Sequence, residues 1–264
     1  MKPTVAQISV LSIAGSDPTG GAGVQADLKV FEALGVHGMA IPAALTAQDS
    51  RDVADVWPVP AARVRRQLEV LSGDFRISAI KLGLLGSAAT MRWLAGWLAE
   101  RPYIPVVLDP VLRASGGARL TSPTALSALR ASLVPRATVL TPNLPEAEAL
   151  LGRPVRTRRD MAGAALGLLE LGCAAVLLKG GHLARGEIVD LYADAAGVTE
   201  LRHERQRRSA HGTGCALSSA LAVRLALGDS PRAAARAAAD YVRGALSRAH
   251  HPGGCRANLL VHRA

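Results

Sequence analysis

The chain has 264 residues, 49% of them hydrophobic and 20% charged, which is enough apolar material to bury a large core, so a single domain over residues 1–264 is expected. Its formal charge of +10 arises in the second part, since residues 1–100 carry nine basic against nine acidic side chains and residues 101–264 carry 22 against 12. Aromatics make up only 3% and no zinc-finger, RNP or basic-zipper pattern occurs, so the excess reads first as an arginine-rich surface and second as a polyphosphate-binding half, with a basic nucleic-acid binder as the reading from another class.

No apolar stretch approaches the roughly 20 residues needed to span a bilayer, and the first residues lack the basic and apolar regions of a signal peptide. Cys173, Cys215 and Cys255 have no paired spacing that suggests a disulfide framework or a zinc site. A soluble protein of the reducing cytoplasm, with no membrane partner, is the expectation.

Along the chain, short β-rich runs alternate with segments of helical period, the pattern of a mainly parallel sheet covered by helices. Strands are predicted over residues 8–14, 39–45, 78–82, 105–109, 137–140 and 174–179, and helices over 23–34, 61–71, 90–99, 124–133, 161–171, 214–227 and 231–249. Residues 188–193 and 198–204 suit an antiparallel addition at one edge. In such sheets ligands bind beyond the carboxyl ends of the strands.

The first of those ends runs Gly15-Ser16-Asp17-Pro18-Thr19-Gly20-Gly21-Ala22-Gly23. It departs from a Walker A loop, because Gly20 is followed by Gly21 and Ala22 where Lys and Ser or Thr are needed. Asp109 ends an apolar strand where a carboxylate is unexpected without a partner. Next, Asn143 and Glu146 stand three apart in a turn fixed by Pro142 and Pro145; they suit Mg²⁺, and equally the cap of a short following helix. Lys179 closes the apolar run 174–178 before two glycines, where an ammonium could reach a polyphosphate or lie in solvent. Only four of the 31 basic residues are lysines, which gives Lys29, Lys81 and Lys179 added weight.

The segment His211-Gly212-Thr213-Gly214-Cys215 precedes an apolar helix, so its free amides lie at the positive end of a helix dipole and can cradle an anion. The same field is expected to lower the pKa of Cys215. A buried structural cysteine is the plain alternative. Acyl transfer by Cys215 would need a histidine base, and His211 is poorly placed to serve as one.

Taken in order, residues 14–29, 141–148, 178–183 and 211–218 resemble the hydroxymethylpyrimidine and hydroxymethylpyrimidine phosphate kinases of thiamine biosynthesis, within the ribokinase superfamily. The likeness spans about residues 9–246. It implies an α/β three-layer sandwich, a homodimer, and MgATP-dependent phosphorylation of an aminopyrimidine and then of its monophosphate. By the resemblance Gly15, Ala22, Asp27 and Gln48 bind the pyrimidine, Lys179 and Thr213 meet the ATP phosphates, and Asp109, Asn143 and Glu146 form the Mg²⁺ environment. Cys215 takes the place of the aspartate base of sugar kinases, flanked by the amides of Gly212 and Gly214. A pyridoxine or pyridoxal kinase is the runner-up, and Gln48 speaks against it because that branch carries Met there. Two segments depart from the family pattern: 114–118 lacks the expected Ser-Gly-Asp, and the tail from Pro252 is glycine-rich.

Overall fold

The computed structural model describes residues 8–114, 117–181, 187–206, 208–255 and 257–263. They form one nine-stranded sheet: β1 (Ser9–Ser16), β2 (His37–Gln48), β3 (Val53–Pro58), β4 (Ile77–Leu82), β5 (Val106–Leu108), β6 (Val139–Leu140), β7 (Ala175–Leu178), β8 (Ile188–Asp194) and β9 (Gly197–His203), in the spatial order 3-2-1-4-5-6-7-8-9. From β2 to β7 the neighbours run parallel, while β3, β8 and β9 pair antiparallel at the two edges.

Eight helices cover it: α1 (Gly23–Ala33), α2 (Ala61–Asp74), α3 (Ala88–Ala99), α4 (Pro123–Ala128), α5 (Leu144–Leu151), α6 (Arg158–Leu169), α7 (Thr213–Ala226) and α8 (Pro231–Ser247). One layer packs α2 to α6 against Leu11, Ile13, Ile80 and Leu82. The other packs α1, α7 and α8 against Val10, Ala79, Val107 and Leu177. Alternation along the strands divides these two sets, so each residue step reverses the face. The central strands are buried on both sides and read as apolar runs for that reason. The three-layer α/β sandwich implied by the sequence is the architecture observed.

Three details differ from the sequence-based expectation. Residues 53–58, assigned to no element, form β3, an edge strand that Asp55 and Pro58 disguise, as charged and proline residues often do at edges. The expected strand 39–45 continues to Gln48 because β3 supplies its partner, and a register shift between Ala47 and Gln48 re-aims the last side chain. The helix expected over 124–133 ends at Ala128 and passes into a wider π turn over Leu129–Leu133.

The order reverses beside β1, with β2 on one side and β4 on the other. Loops leaving these strands therefore part there and open a crevice.

Candidate active site

Beyond the carboxyl ends of β1, β2, β4, β5, β6 and β7 lies a cavity of about 890 Å³, closed on its far side by the start of α7. Each wall can be built from the residues that hold it.

On the β1 side the loop is organised by Asp17, a buried carboxylate. It accepts hydrogen bonds from the Thr19 amide (2.8 Å), the Thr19 hydroxyl (2.9 Å) and the Ala22 amide (2.7 Å). His211 Nε2 lies 3.1 Å from its Oδ2. Burial opposes ionisation of Asp17, but these bonds and one from Gln48 hold its pKa well below the usual carboxylate range. Gly15, Ala22 and Gln48 line the same wall. Gln48, at the tip of β2, is thereby tied to the β1 loop.

Opposite stands the start of α7. Gly212 is its N-cap, has φ +84°, and offers no side chain to cap the helix, which leaves the amides of its first turn free of any side-chain cap. Glycine is required, because a Cβ at this position would strike the Gly21 carbonyl. At Gly214 a Cβ would come within 3.5 Å of Lys179 Nζ and 3.8 Å of Asp109 Oδ2, so the missing side chain keeps the approach to both groups open. The loop is held from behind by residues 258–260: the His211 amide donates to the Asn258 carbonyl at 2.9 Å, Leu259 bridges both His211 and His250, and Leu260 is buried in the core.

Between the two walls lies a charged cluster. Lys179 Nζ is 3.1 Å from Asp109 Oδ1 and 3.9 Å from Glu146 Oε2. Burial alone would depress this ammonium, but Asp109 and Glu146 reverse the effect and its pKa is raised. Asp109 also accepts from Thr141 and from Ser218 on α7, each at 3.3 Å. The pair Asn143 and Glu146 forms a capping box at the start of α5: the Glu146 amide donates to Asn143 Oδ1 at 2.9 Å and the Asn143 amide to Glu146 Oε2 at 2.8 Å. Burial pushes the Glu146 carboxyl up to about 7, with Lys179 opposing and Asp109 adding to the rise. A buried carboxylate short of positive charge is what a divalent cation would complete, and oxygen donors suit Mg²⁺, which takes one or two carboxylates together with substrate phosphates. Glu146 and Asp109 fit that group; Asn143 turns its oxygen to the helix and contributes by holding Glu146.

Two expected site features are corrected here. Asp27 is fully buried, accepts from Ser12, Lys81 and Ser219, and lies outside the cavity lining. Its helix faces the sheet, so the carboxylate meets an internal lysine before it could meet a ligand. Cys215 lines the cavity, but its pKa is raised, not lowered. Burial pushes the thiol up to about 11, with Lys81 opposing and Asp27 and Asp109 adding to it. The helix-end field acts on a half-buried sulfur at the cavity wall, and desolvation outweighs it. Cys215 is therefore a thiol near neutrality. His211 is held on Asp17 through Nε2.

Gly15, Ala22, Gln48, Asp109, Asn143, Glu146, Lys179, Gly212, Thr213, Gly214 and Cys215 are all brought together around the one cavity. What sequence reasoning missed is the Asp17–His211 tie and the place of Lys81 in the wall. A lysine inside an otherwise apolar strand was the available signal. Ser115, Gly116, His182 and Leu183, within two of the quoted motifs, lie outside the described residues.

With this geometry in hand, the chain can be set beside known proteins. A family model described as phosphomethylpyrimidine kinase matches residues 17–259. A hydroxymethylpyrimidine/phosphomethylpyrimidine kinase of Streptomyces coelicolor is 44% identical over 253 residues, covering 96% of this chain and 93% of the relative. One of Escherichia coli is 43% identical over 218 residues, covering 82% of each. Among solved structures, an ADP complex of Bacillus subtilis pyridoxal kinase superposes with a TM-score of 0.90 at 33% identity, covering 97% of this chain and 98% of that one. A phosphomethylpyrimidine kinase from Clostridium difficile gives 0.80 at 35% identity, covering 90% and 99%.

Proposed function

The chain belongs to the phosphomethylpyrimidine kinase family, and from that premise we propose that it transfers the γ-phosphoryl group of ATP to the hydroxymethyl oxygen of 4-amino-5-hydroxymethyl-2-methylpyrimidine, and then phosphorylates the monophosphate to the diphosphate. The observation that carries the reading is the facing of two walls in one cavity: an uncapped, glycine-bounded helix start beside Lys179, and the β1 loop with Gln48.

In this reading the pyrimidine lies against Gly15, Ala22 and Gln48, whose carboxamide meets the ring's amine and nitrogens. The ATP phosphates run along Thr213 and Lys179 to the amides of residues 212–215, which meet the charge on the transferring group with dipoles already in place. Mg²⁺ arriving with ATP would be held on the Asp109 and Glu146 side and would offset charge on the phosphates. The substrate oxygen approaches in line as the bond to ADP breaks, and the hydroxyl proton is released. Cys215, a thiol in the resting enzyme, orients that hydroxyl at the helix end. Asp27 has no place among the ring contacts.

The unaligned edge of the sheet supports a homodimer: Leu45 and Trp57 are register partners on β2 and β3 and are 48% and 54% exposed. The free state of all three cysteines supports a reducing cytoplasm, and among the described residues no helix is long and apolar enough to cross a membrane.

The pyridoxal kinase reading is favoured by one observation, the 0.90 TM-score to such an enzyme. Steady-state ADP release with hydroxymethylpyrimidine, its monophosphate and pyridoxal decides between them. The pyrimidine and its monophosphate are expected to be the preferred substrates. A higher kcat/KM for pyridoxal, or no turnover of either pyrimidine, overturns the proposal.

A further inference from the structure

The group that displaced Asp27 from the substrate set has a role to be explained. Four elements meet at its carboxylate, each contributing one side chain: Ser12 from β1 donates at 2.5 Å, Lys81 from β4 at 2.8 and 3.0 Å, and Ser219 from α7 at 2.7 Å, while α1 brings Asp27 itself. Ser12 and Lys81 are register partners on adjacent parallel strands and so project to the same side. Both members of the ion pair are 0% exposed. A buried ion pair is weak evidence for stability, since apolar residues of similar size commonly hold such a site as well or better. The arrangement therefore calls for another reason.

Its placement supplies one. Ser219 lies one helical turn beyond Cys215, so the Ser219–Asp27 bond fixes the turn that carries the thiol and the free amides. Lys81 is two residues before Gly83, and both line the cavity. On the other flank Ser218 reaches Asp109, so α7 is pinned to the sheet on both sides. The charged groups acting on Cys215 are Lys81 from β4, Asp27 from α1, Asp109 after β5 and Lys179 after β7.

We propose that Asp27 and Lys81 are positioning residues for phosphoryl transfer: through Ser219 the pair fixes the first turns of α7 against the sheet, and through the Lys81 ammonium it sets the electrostatic potential at Cys215. The proposal rests on the kinase reading given above for its effect on turnover, and, for its effect on the thiol, on Lys81 and Cys215 lining one cavity and on Asp27 being bonded to Ser219 one turn beyond Cys215. Small displacements at such a site have large consequences, since misplacement by about 1 Å can cost on the order of 10²-fold in rate.

The test uses the full chain as wild type, S219A, D27N, K81M and D27N/K81M. The double variant removes both charges while its amide still serves the two serines, so it keeps the fold when a single charge change does not. In S219A and in the double variant kcat is expected to fall about tenfold or more while KM for ATP and for the pyrimidine stays within about threefold, the signature of an interaction that matters in the transition state. Alkylation of Cys215 by iodoacetamide, followed by mass spectrometry from pH 7 to 10, should be faster in D27N, where Lys81 acts unopposed, and slower in K81M, about tenfold for each tenfold change in thiolate fraction. Wild-type kcat in S219A and the double variant, with unchanged alkylation profiles in folded D27N and K81M, would overturn the proposal. The two readings fail separately: full turnover by C215A removes Cys215 from the mechanism proposed above and leaves the shifted alkylation profiles in place as evidence for the pair.

Discussion

Replacing Glu146 by glutamine should stabilise the protein above neutrality while crippling it as a kinase. The carboxyl is buried, and burial raises its pKa from an ordinary 4.5 to about 7. A folded state that binds this proton more tightly than the unfolded chain loses stability as pH rises from about 4.5 through about 7, and the loss is complete above that. At 1.36 kcal/mol for each tenfold change in proton affinity, the cost of the ionised form is roughly 3 kcal/mol at pH 8. The attraction to Lys179, 3.9 Å away, already reduces that figure. Glutamine is isosteric, can accept from the Asn143 amide as the carboxylate does, and is an accepted third residue of a capping box, so α5 keeps its start. Urea unfolding of both proteins at pH 5, 6, 7 and 8 should give a difference that grows from just under about 1 kcal/mol at pH 5 to about 2–3 kcal/mol at pH 8 in favour of E146Q. Turnover should drop at least tenfold and need more Mg²⁺. A stability difference that does not change with pH, or a variant less stable at pH 8, would refute the account of Glu146 as a buried charge that Lys179 only partly offsets.

Cys215→Ala should lower kcat by about 10²-fold or more with little change in melting temperature, since a group that handles or orients a proton is worth about 10² to 10⁴; near-normal turnover in a coupled assay would remove the thiol from the mechanism. Lys179→Ala should raise KM for ATP far more than KM for the pyrimidine, and calorimetry showing the reverse would exchange the two walls. Gln48→Met should narrow the ratio of kcat/KM between hydroxymethylpyrimidine and pyridoxal by roughly 10²-fold or more, because the proposed reading has the Gln48 carboxamide meet the ring's amine; an unchanged ratio means that Gln48 does not read the ring.

Much of this site could be read from the chain because its parts are local. The helix start after Gly212, the Lys179 strand end and the paired Asn143 and Glu146 each signal themselves within five residues, and strand ends of one parallel sheet necessarily gather at one edge. Failures came where the decisive partner is remote. Asp27 looked like a ligand group until Lys81, 54 residues away, met it in the core. Cys215 looked activated because a helix dipole is visible in sequence, whereas burial, which outweighs it, is a property of the packed whole. β3 was missed because its side chains are those of an exposed edge, and its pairing with β2 is what carries Gln48 to the cavity.

The clasp of Asn258, Leu259 and Leu260 on the His211 loop before α7 bears on how the enzyme comes into being on the ribosome. Domains made vectorially can gather their early strands while later ones are still being added. Here the seat of the loop before α7 is supplied by residues 258–260, which follow every strand and helix in chain order, so a nascent chain could hold the sheet, both helical layers and the β1 wall of the cavity while the start of α7 still lacks its support. Catalytic competence is thereby deferred until residues 258–260 have been made, and a premature stop a few codons upstream of residue 258 is expected to leave the sheet formed and phosphoryl transfer lost.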